Sequence, residues 1–284
     1  MTEESTARRR ELGTELRLLR KKQNMSGHHL GRRLEWAPSN ISRLETGVRP
    51  LPLVDVAVFL ASCGASKDER ERLLALAKST EDLYWVRPYF DKLTDPLRSL
   101  VIQENLTNSM INYEPLVIPG LLQTEAYART AFEWDGRYVR DKVDLLVKAR
   151  MDRQALLHRR IPPGCTFFVH ERALRSVVGD SAVMHEQLLS LVLSGNLRHC
   201  MIRVVPESAS AIRMLGNTFA IMEFADHPAV AYTDTYAAGL FIDDRPAVES
   251  YYNVAARLEQ HALSGSDSRA WLVQLASEYE RAKE

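Results

Sequence analysis

Residues 26–47 read SGHHLGRRLEWAPSNISRLETG. Ser26 is a good N-cap, so a short helix is expected from Gly27 to Leu34. Glu35 and Trp36 then make a turn. Pro38 suits the first turn of a following helix, where a missing N–H costs nothing. That helix is expected to run to Thr46 and stop at Gly47, the natural C-terminal cap. Two short helices that cross steeply over a three- to four-residue turn need a small residue where they touch, and Gly31 supplies it. They also need apolar pegs, here Leu30 and Leu34 on the first helix and Ile41 and Leu44 on the second. The outer face of the second helix then carries Ser39, Asn40, Ser42 and Arg43.

Those four residue types suit base edges in a major groove. Arginine pairs with guanine through O6 and N7, and asparagine pairs with adenine in the same manner. Either residue also suits a phosphate. Ser26, Arg32, Arg33 and Arg49 are the candidate phosphate contacts, giving affinity without sequence information. Peg spacing alone also fits an ordinary helical hairpin. The outer-face residues, the local charge and the number of surrounding helices favour DNA.

Working outward, a helical pattern runs from about Arg8 to Asn24, with Leu12, Leu16, Leu19 and Arg20 at spacings of three to four. After the turn at Val48–Pro52, a fourth helix carries Leu53, Val56, Phe59 and Leu60 and stops at Cys63-Gly64. Ser66 opens a fifth helix with Leu73, Leu74, Leu76 and Ala77 on its buried face. The expected head is therefore an all-α unit over residues 8–78. An aromatic-rich, glycine-free connection follows over 79–94, and a second domain over 95–284. In that second domain a helix is expected from Asp95-Pro96 to about Tyr113. An extended, proline-broken segment runs from Glu114 to Gly120. Helices are expected near 124–134, 139–158 and 181–194, and strands near 166–170, 201–205, 218–224, 229–233 and 239–242. Two helices close the chain. The fold class is α+β, with a mixed sheet flanked by helices.

Residues 8–78 resemble the XRE, or lambda-repressor-like, helix-turn-helix class, through LRLLRKKQNMS, the pegs Leu30 and Leu34, and NISRLETG at 40–47. The resemblance implies a five-helix DNA-binding domain in which Arg20 pairs with Glu45 and braces the helices. The sequence departs from the class at Gly27, where a glutamine usually grips phosphate, at Glu35, where the turn usually holds glycine, and at Ala37, where the recognition helix usually has a polar N-cap. The remainder is similar to the C-terminal domain of a large actinobacterial regulator family, through YEPLVIPGLLQTEAYAR (113–129), KARMDRQALL (148–157), VHERALR (169–175) and the FAIMEF…VAYTDT…GLFIDD run. Members join an XRE head to a domain of unassigned function, and are commonly encoded beside a small acidic partner protein. That partner is therefore an implied one here.

The charge distribution agrees with a DNA-binding head. The chain is neutral overall, yet residues 1–78 hold 15 Lys and Arg against 10 Asp and Glu, and the remainder holds 22 against 27. Cys63, Cys165 and Cys200 have neither zinc nor redox spacing and fit a reducing cytoplasm. No signal peptide and no apolar run long enough to span a membrane is present. No nucleophile elbow, phosphate loop or dinucleotide fingerprint occurs, so no enzyme, cofactor or metal is expected. Glu171 and Arg172 read as a helix start and a surface salt bridge, and Asp243 and Asp244 as a loop before a helix. Gln123, Thr124 and Glu125, at a helix start behind Pro119-Gly120, are a candidate anion or peptide-partner site, with a packing joint as the competing reading. The expectation is a cytoplasmic, homodimeric, sequence-specific transcription regulator that inserts residues 38–46 into the major groove of a double-stranded operator. The alternative is an antitoxin-like module whose main event is binding the small partner.

Overall fold

The computed structural model describes residues 5–48, 52–78, 82–88, 94–136, 138–209 and 217–282. The helices are α1 (Ala7–Lys22), α2 (Gly27–Leu34), α3 (Pro38–Thr46), α4 (Leu53–Ser62), α5 (Lys67–Ala77), α6 (Thr94–Leu106), α7 (Glu125–Asp135), α8 (Arg140–Arg153), α9 (Glu171–Arg175), α10 (Ser181–Ser194), α11 (Arg245–His261) and α12 (Gly265–Arg281). The strands are β1 (Tyr84–Pro88), β2 (Ser109–Glu114), β3 (Gly164–His170), β4 (Cys200–Val205), β5 (Phe219–Glu223), β6 (Val230–Asp234) and β7 (Ala238–Ile242). The α+β class and the mixed sheet flanked by helices are as expected. The chain packs as two compact units, residues 1–106 with 223–248, and residues 107–222 with 249–284.

In the first unit, local signals set the helix ends. Thr6, Ser26 and Ser66 accept from the backbone N–H three residues on, and Ser66 forms a full capping box with Glu69. Leu12, Leu16, Leu30, Ile41, Leu44, Val56, Phe59, Leu60 and Leu73 make the core of the helices. Gly13 lets α1 press onto α3. A Cβ there would lie 2.7 Å from the Glu45 carbonyl oxygen and 2.8 Å from that of Leu44, distances that no side chain tolerates.

The same unit holds an antiparallel ribbon, β1 against β7 and β7 against β6. Trp85 of β1 packs on Phe241, whose ring also meets Tyr232. α1 is tied to this ribbon by buried polar groups. The Asp243 carboxylate accepts from the Ala7 N–H at 2.9 and 3.0 Å, at the positive end of α1. It also lies 3.3 Å from Arg10, which donates further to Gln103 and to the Ser5 carbonyl. Arg8 donates to the Ala75 and Leu76 carbonyls, closing the C-terminal end of α5.

In the second unit β2, β3 and β4 are mutually parallel, with α8 before β3 and α10 before β4 as crossovers. Phe167, Phe168, Val169, Val204, Leu188, Leu191 and Leu272 are buried there. Arg203 is held by Glu259 and by the Leu263 carbonyl, and Ser268 accepts from the Val204 N–H.

Two sequence expectations need correction. The helix expected from Asp95 to Tyr113 ends at Leu106, and 109–114 is β2. The aromatic stretch read as a connection contains β1. α6, β6 and β7 pack within the first compact unit.

Candidate nucleic-acid interface

The turn between α2 and α3 closes as a Schellman motif. The Trp36 N–H reaches the Gly31 carbonyl at 2.8 Å, and the Glu35 N–H reaches Arg32 at 3.3 Å. Glu35 occupies the left-handed region at φ 56°, where a glycine would carry no strain. A Cβ on Gly31 would lie 2.9 Å from the Trp36 carbonyl oxygen, so the residue there must be glycine for the chain to fold back. Ala37 offers no side-chain cap to α3, and Gly47 ends α3 at φ +69°.

Within α3, Ile41 and Leu44 face the core. Ser39, Ser42, Arg43 and Thr46 fall on the opposite face by helical spacing, with Asn40 on its flank. Ser39, Asn40, Ser42 and Thr46 are exposed and Arg43 is half-buried. Arg43 folds back along its own helix, donating Nε to the Ser39 carbonyl and Nη2 to the Ser39 hydroxyl, both at 3.2 Å. It must leave both acceptors to reach a base. Thr46 was not singled out in the sequence; its hydroxyl is bonded to the Ser42 carbonyl at 2.9 Å. The signal that would have found it is the i, i+4 spacing from Ser42.

Glu45 sits on the inner side of α3 and accepts from Arg20 at both oxygens, 2.5 Å from Nε and 2.7 Å from Nη2. The third arm of the guanidinium donates to the Met25 carbonyl at 2.6 Å. The hydrogen bonds to Glu45 raise the Arg20 pKa above its ordinary value. This pair clamps α1 to the recognition helix and to the α1–α2 turn with every charged group satisfied.

The candidate phosphate contacts divide. Arg32 and Arg33 project from the last turn of α2 and are exposed. The Ser26 hydroxyl caps α2, accepting from the His29 N–H at 3.0 Å. Arg49 lies outside the described residues.

Gln123, Thr124 and Glu125 belong to the second unit and are largely committed to it. Gln123 is buried, donates to the Ile118 carbonyl and accepts from Arg150 at 2.6 Å. Thr124 caps α7, and its N–H donates to Gln187 at 2.7 Å. Glu125 alone is exposed, 3.4 Å from Arg129. Glu171 pairs with Arg175 at 2.7 Å, and Arg172 with Glu207 at 2.9 Å. Among the described residues no helix is long and apolar enough to cross a membrane.

A family model described as a helix-turn-helix domain matches residues 11–73, and one described as a domain of unknown function (DUF5753) matches residues 97–274. No curated protein and no solved structure matches the chain. The segment from α2 to α3 is thus a helix-turn-helix of the DNA-binding kind, joined to a domain whose function is unassigned.

Proposed function

This chain belongs to the DUF5753 family, and on that premise, with a helix-turn-helix ahead of the DUF5753 domain, we propose that it is a sequence-specific transcription regulator of the XRE type acting in the cytoplasm. The observation that carries the reading is the outward face of α3. Small polar side chains and one arginine stand on a helix locked from behind by the bidentate Arg20–Glu45 pair. A recognition helix must present its side chains at fixed depth in the groove, and this clamp fixes α3 against α1. Arg43 reads a guanine, Ser39, Asn40 and Ser42 fill the remaining base contacts, and Arg32 and Arg33 hold phosphates. The regulator works as a homodimer, because one such helix reads only a few base pairs and two half-sites give useful affinity. The DUF5753 domain supplies sensing or oligomerisation rather than catalysis.

The test is binding of the purified chain to DNA from upstream of its own gene, at two salt concentrations, beside an unrelated duplex. Arg43→Ala is expected to lose about 1–3 kcal/mol and to relax base preference at one position of each half-site. Arg33→Ala is expected to weaken all duplexes alike and flatten the salt dependence. Equal, weak binding to every duplex by the unaltered chain would overturn the reading.

A further inference from the structure

In the first compact unit β1 is a terminal strand, paired with β7 on one side only. The ladder decides which of its main-chain groups face outward. Leu83 accepts from the Asp243 N–H at 2.7 Å, so its carbonyl points to the β7 side. Successive residues of an antiparallel strand alternate in this direction. Trp85 and Arg87 therefore turn their main-chain groups to β7. Val86 turns its N–H and C=O outward, and Pro88 its carbonyl. Among the described residues no strand pairs with this outer edge, and Val86 is 56% exposed.

An open groove of about 680 Å³ follows the same edge. All five consecutive residues of β1 line it, whereas an opening over one face of a strand would meet alternate residues. The opposite wall is one stripe of α5, formed by Asp68, Glu71, Arg72 and Ala75 at spacings of three and four. A slot with a sheet edge on one side and a helix on the other is the shape in which an extended peptide adds as a further strand.

The charges select the peptide. The arginines of the slot are drawn inward and engaged. Arg8 donates to the Ala75 and Leu76 carbonyls, and Arg72 pairs with Glu15 at 3.0 Å. Arg87 lies over the Trp85 ring and donates to the Ser99 hydroxyl at 2.9 Å. The rim is left to carboxylates. Asp68 and Glu71 are exposed on α5, and the Asp82 side chain is 59% exposed just ahead of β1. Among the described residues Glu71 meets only the exposed Lys67, at 3.9 Å. These groups favour a basic segment. A second copy of the chain fits badly, because its own α5 would bring the same carboxylates to the same edge.

We propose that this slot captures an extended, basic segment of a partner protein as a strand added to β1. The segment pairs its main chain with the Val86 N–H and C=O and donates to the Pro88 carbonyl. Pro88 has no N–H, so the pairing ends there. One face of the added strand turns lysine or arginine to the α5 carboxylates, and the other lays apolar side chains beside Val86. The site uses no part of α3 and does not rest on the DNA-binding reading.

The experiment is fluorescence anisotropy of a labelled heptapeptide of alternating lysine and valine, titrated with the full chain. The comparators are the glutamate–valine counterpart and the lysine–valine peptide with its backbone amides methylated. One saturable site is expected for the first peptide and none for either comparator. Val86→Pro should weaken it about tenfold, because it removes a main-chain donor at a position where the ladder to β7 needs none. Binding should also slow amide hydrogen exchange across residues 84–88. Should Val86→Pro not fold, Asp68→Asn combined with Glu71→Gln replaces it on the exposed face of α5, with a loss of about fivefold. No saturation at millimolar peptide, equal binding of either comparator, or saturation without protection of residues 84–88 would overturn the proposal. A dimer in sedimentation that Val86→Pro disperses would also overturn it and give the edge to a second copy. Mobility shift of operator DNA, measured without peptide, tests the regulator separately.

Discussion

The two ends of α1 bury charge in opposite ways. Near its C-terminus Arg20 meets Glu45 and the Met25 carbonyl, and all three arms of the guanidinium are used. Near its N-terminus Glu11 is more deeply buried and more loosely held, with the Arg87 guanidinium 3.6 Å away and the Ser99 side chain beside it. Next to Glu11, Arg10 is buried but satisfied by Asp243, Gln103 and Ser5. A helix can therefore carry a rigid clamp at one end and a loosely supported buried carboxyl at the other. The clamp faces the recognition helix, where geometry must not change. Glu11 faces Arg72 of α5, Arg87 of β1 and Ser99 of α6 instead.

The clamp gives the largest expected effect. Arg20→Ala leaves Glu45 buried without its partner, with a side chain only 8% exposed, and is expected to cost about 3–5 kcal/mol in urea denaturation. A loss below about 1 kcal/mol would mean that the pair behaves as a surface ion pair and braces nothing. Exchanging both residues for methionine should recover most of the loss, because no charge is then stranded.

Glu11 gives the intermediate effect, with the opposite sign. Its folded pKa, about 7, stands above its ordinary 4.5, so the folded chain binds a proton that the unfolded chain releases. The associated stability is fully present below about pH 4.5 and is lost progressively up to about pH 7, a total of roughly 3 kcal/mol. Glu11→Gln should flatten that part of the stability profile and leave the variant more stable than the parent at pH 8. A variant profile that still falls between pH 5 and 7 would assign the titration to another group.

The smallest effects lie in the turn. Glu35→Gly relieves a non-glycine residue at φ 56° and should add about 1 kcal/mol. Ala37→Ser should add about 1 kcal/mol by capping α3. Thermal melts of the two single variants and the double variant would show whether the gains add. If Glu35→Gly stabilises the fold but weakens operator binding, the exposed Glu35 side chain has a role at the interface beyond the turn.

The helix-turn-helix was legible because its signals are local. Ser26, Pro38 and Gly47 mark helix ends within one turn of themselves, and Leu30, Leu34, Ile41 and Leu44 repeat at helical spacing. The five strands after β2 were legible as short apolar runs between breakers. β2 was not. SMINYE follows α6 after two residues, with no glycine or proline to announce the change, and its burial does not alternate cleanly. β1 was missed for a related reason. YWVRP lies at a sheet edge, where only Trp85 is fully buried and the proline argues against a strand. The candidate site at Gln123–Glu125 showed the limit of motif reasoning. A polar helix start looks the same in sequence whether its groups await a ligand or, as for Gln123 and Thr124, are consumed by Arg150 and Gln187.

By itself, the sequence determined the five-helix head, the outward-facing residues of α3 and the α+β class, since each depends on spacing within a few residues. Tertiary structure alone decided that Asp243 closes the N-terminus of Ala7–Lys22, that α1 meets α3 at Gly13, and that Glu11 lies buried beside a cavity. Residues up to 236 positions apart meet in these contacts. Their strength comes from desolvation, and how far a charge is removed from water is settled only when the rest of the chain has packed around it.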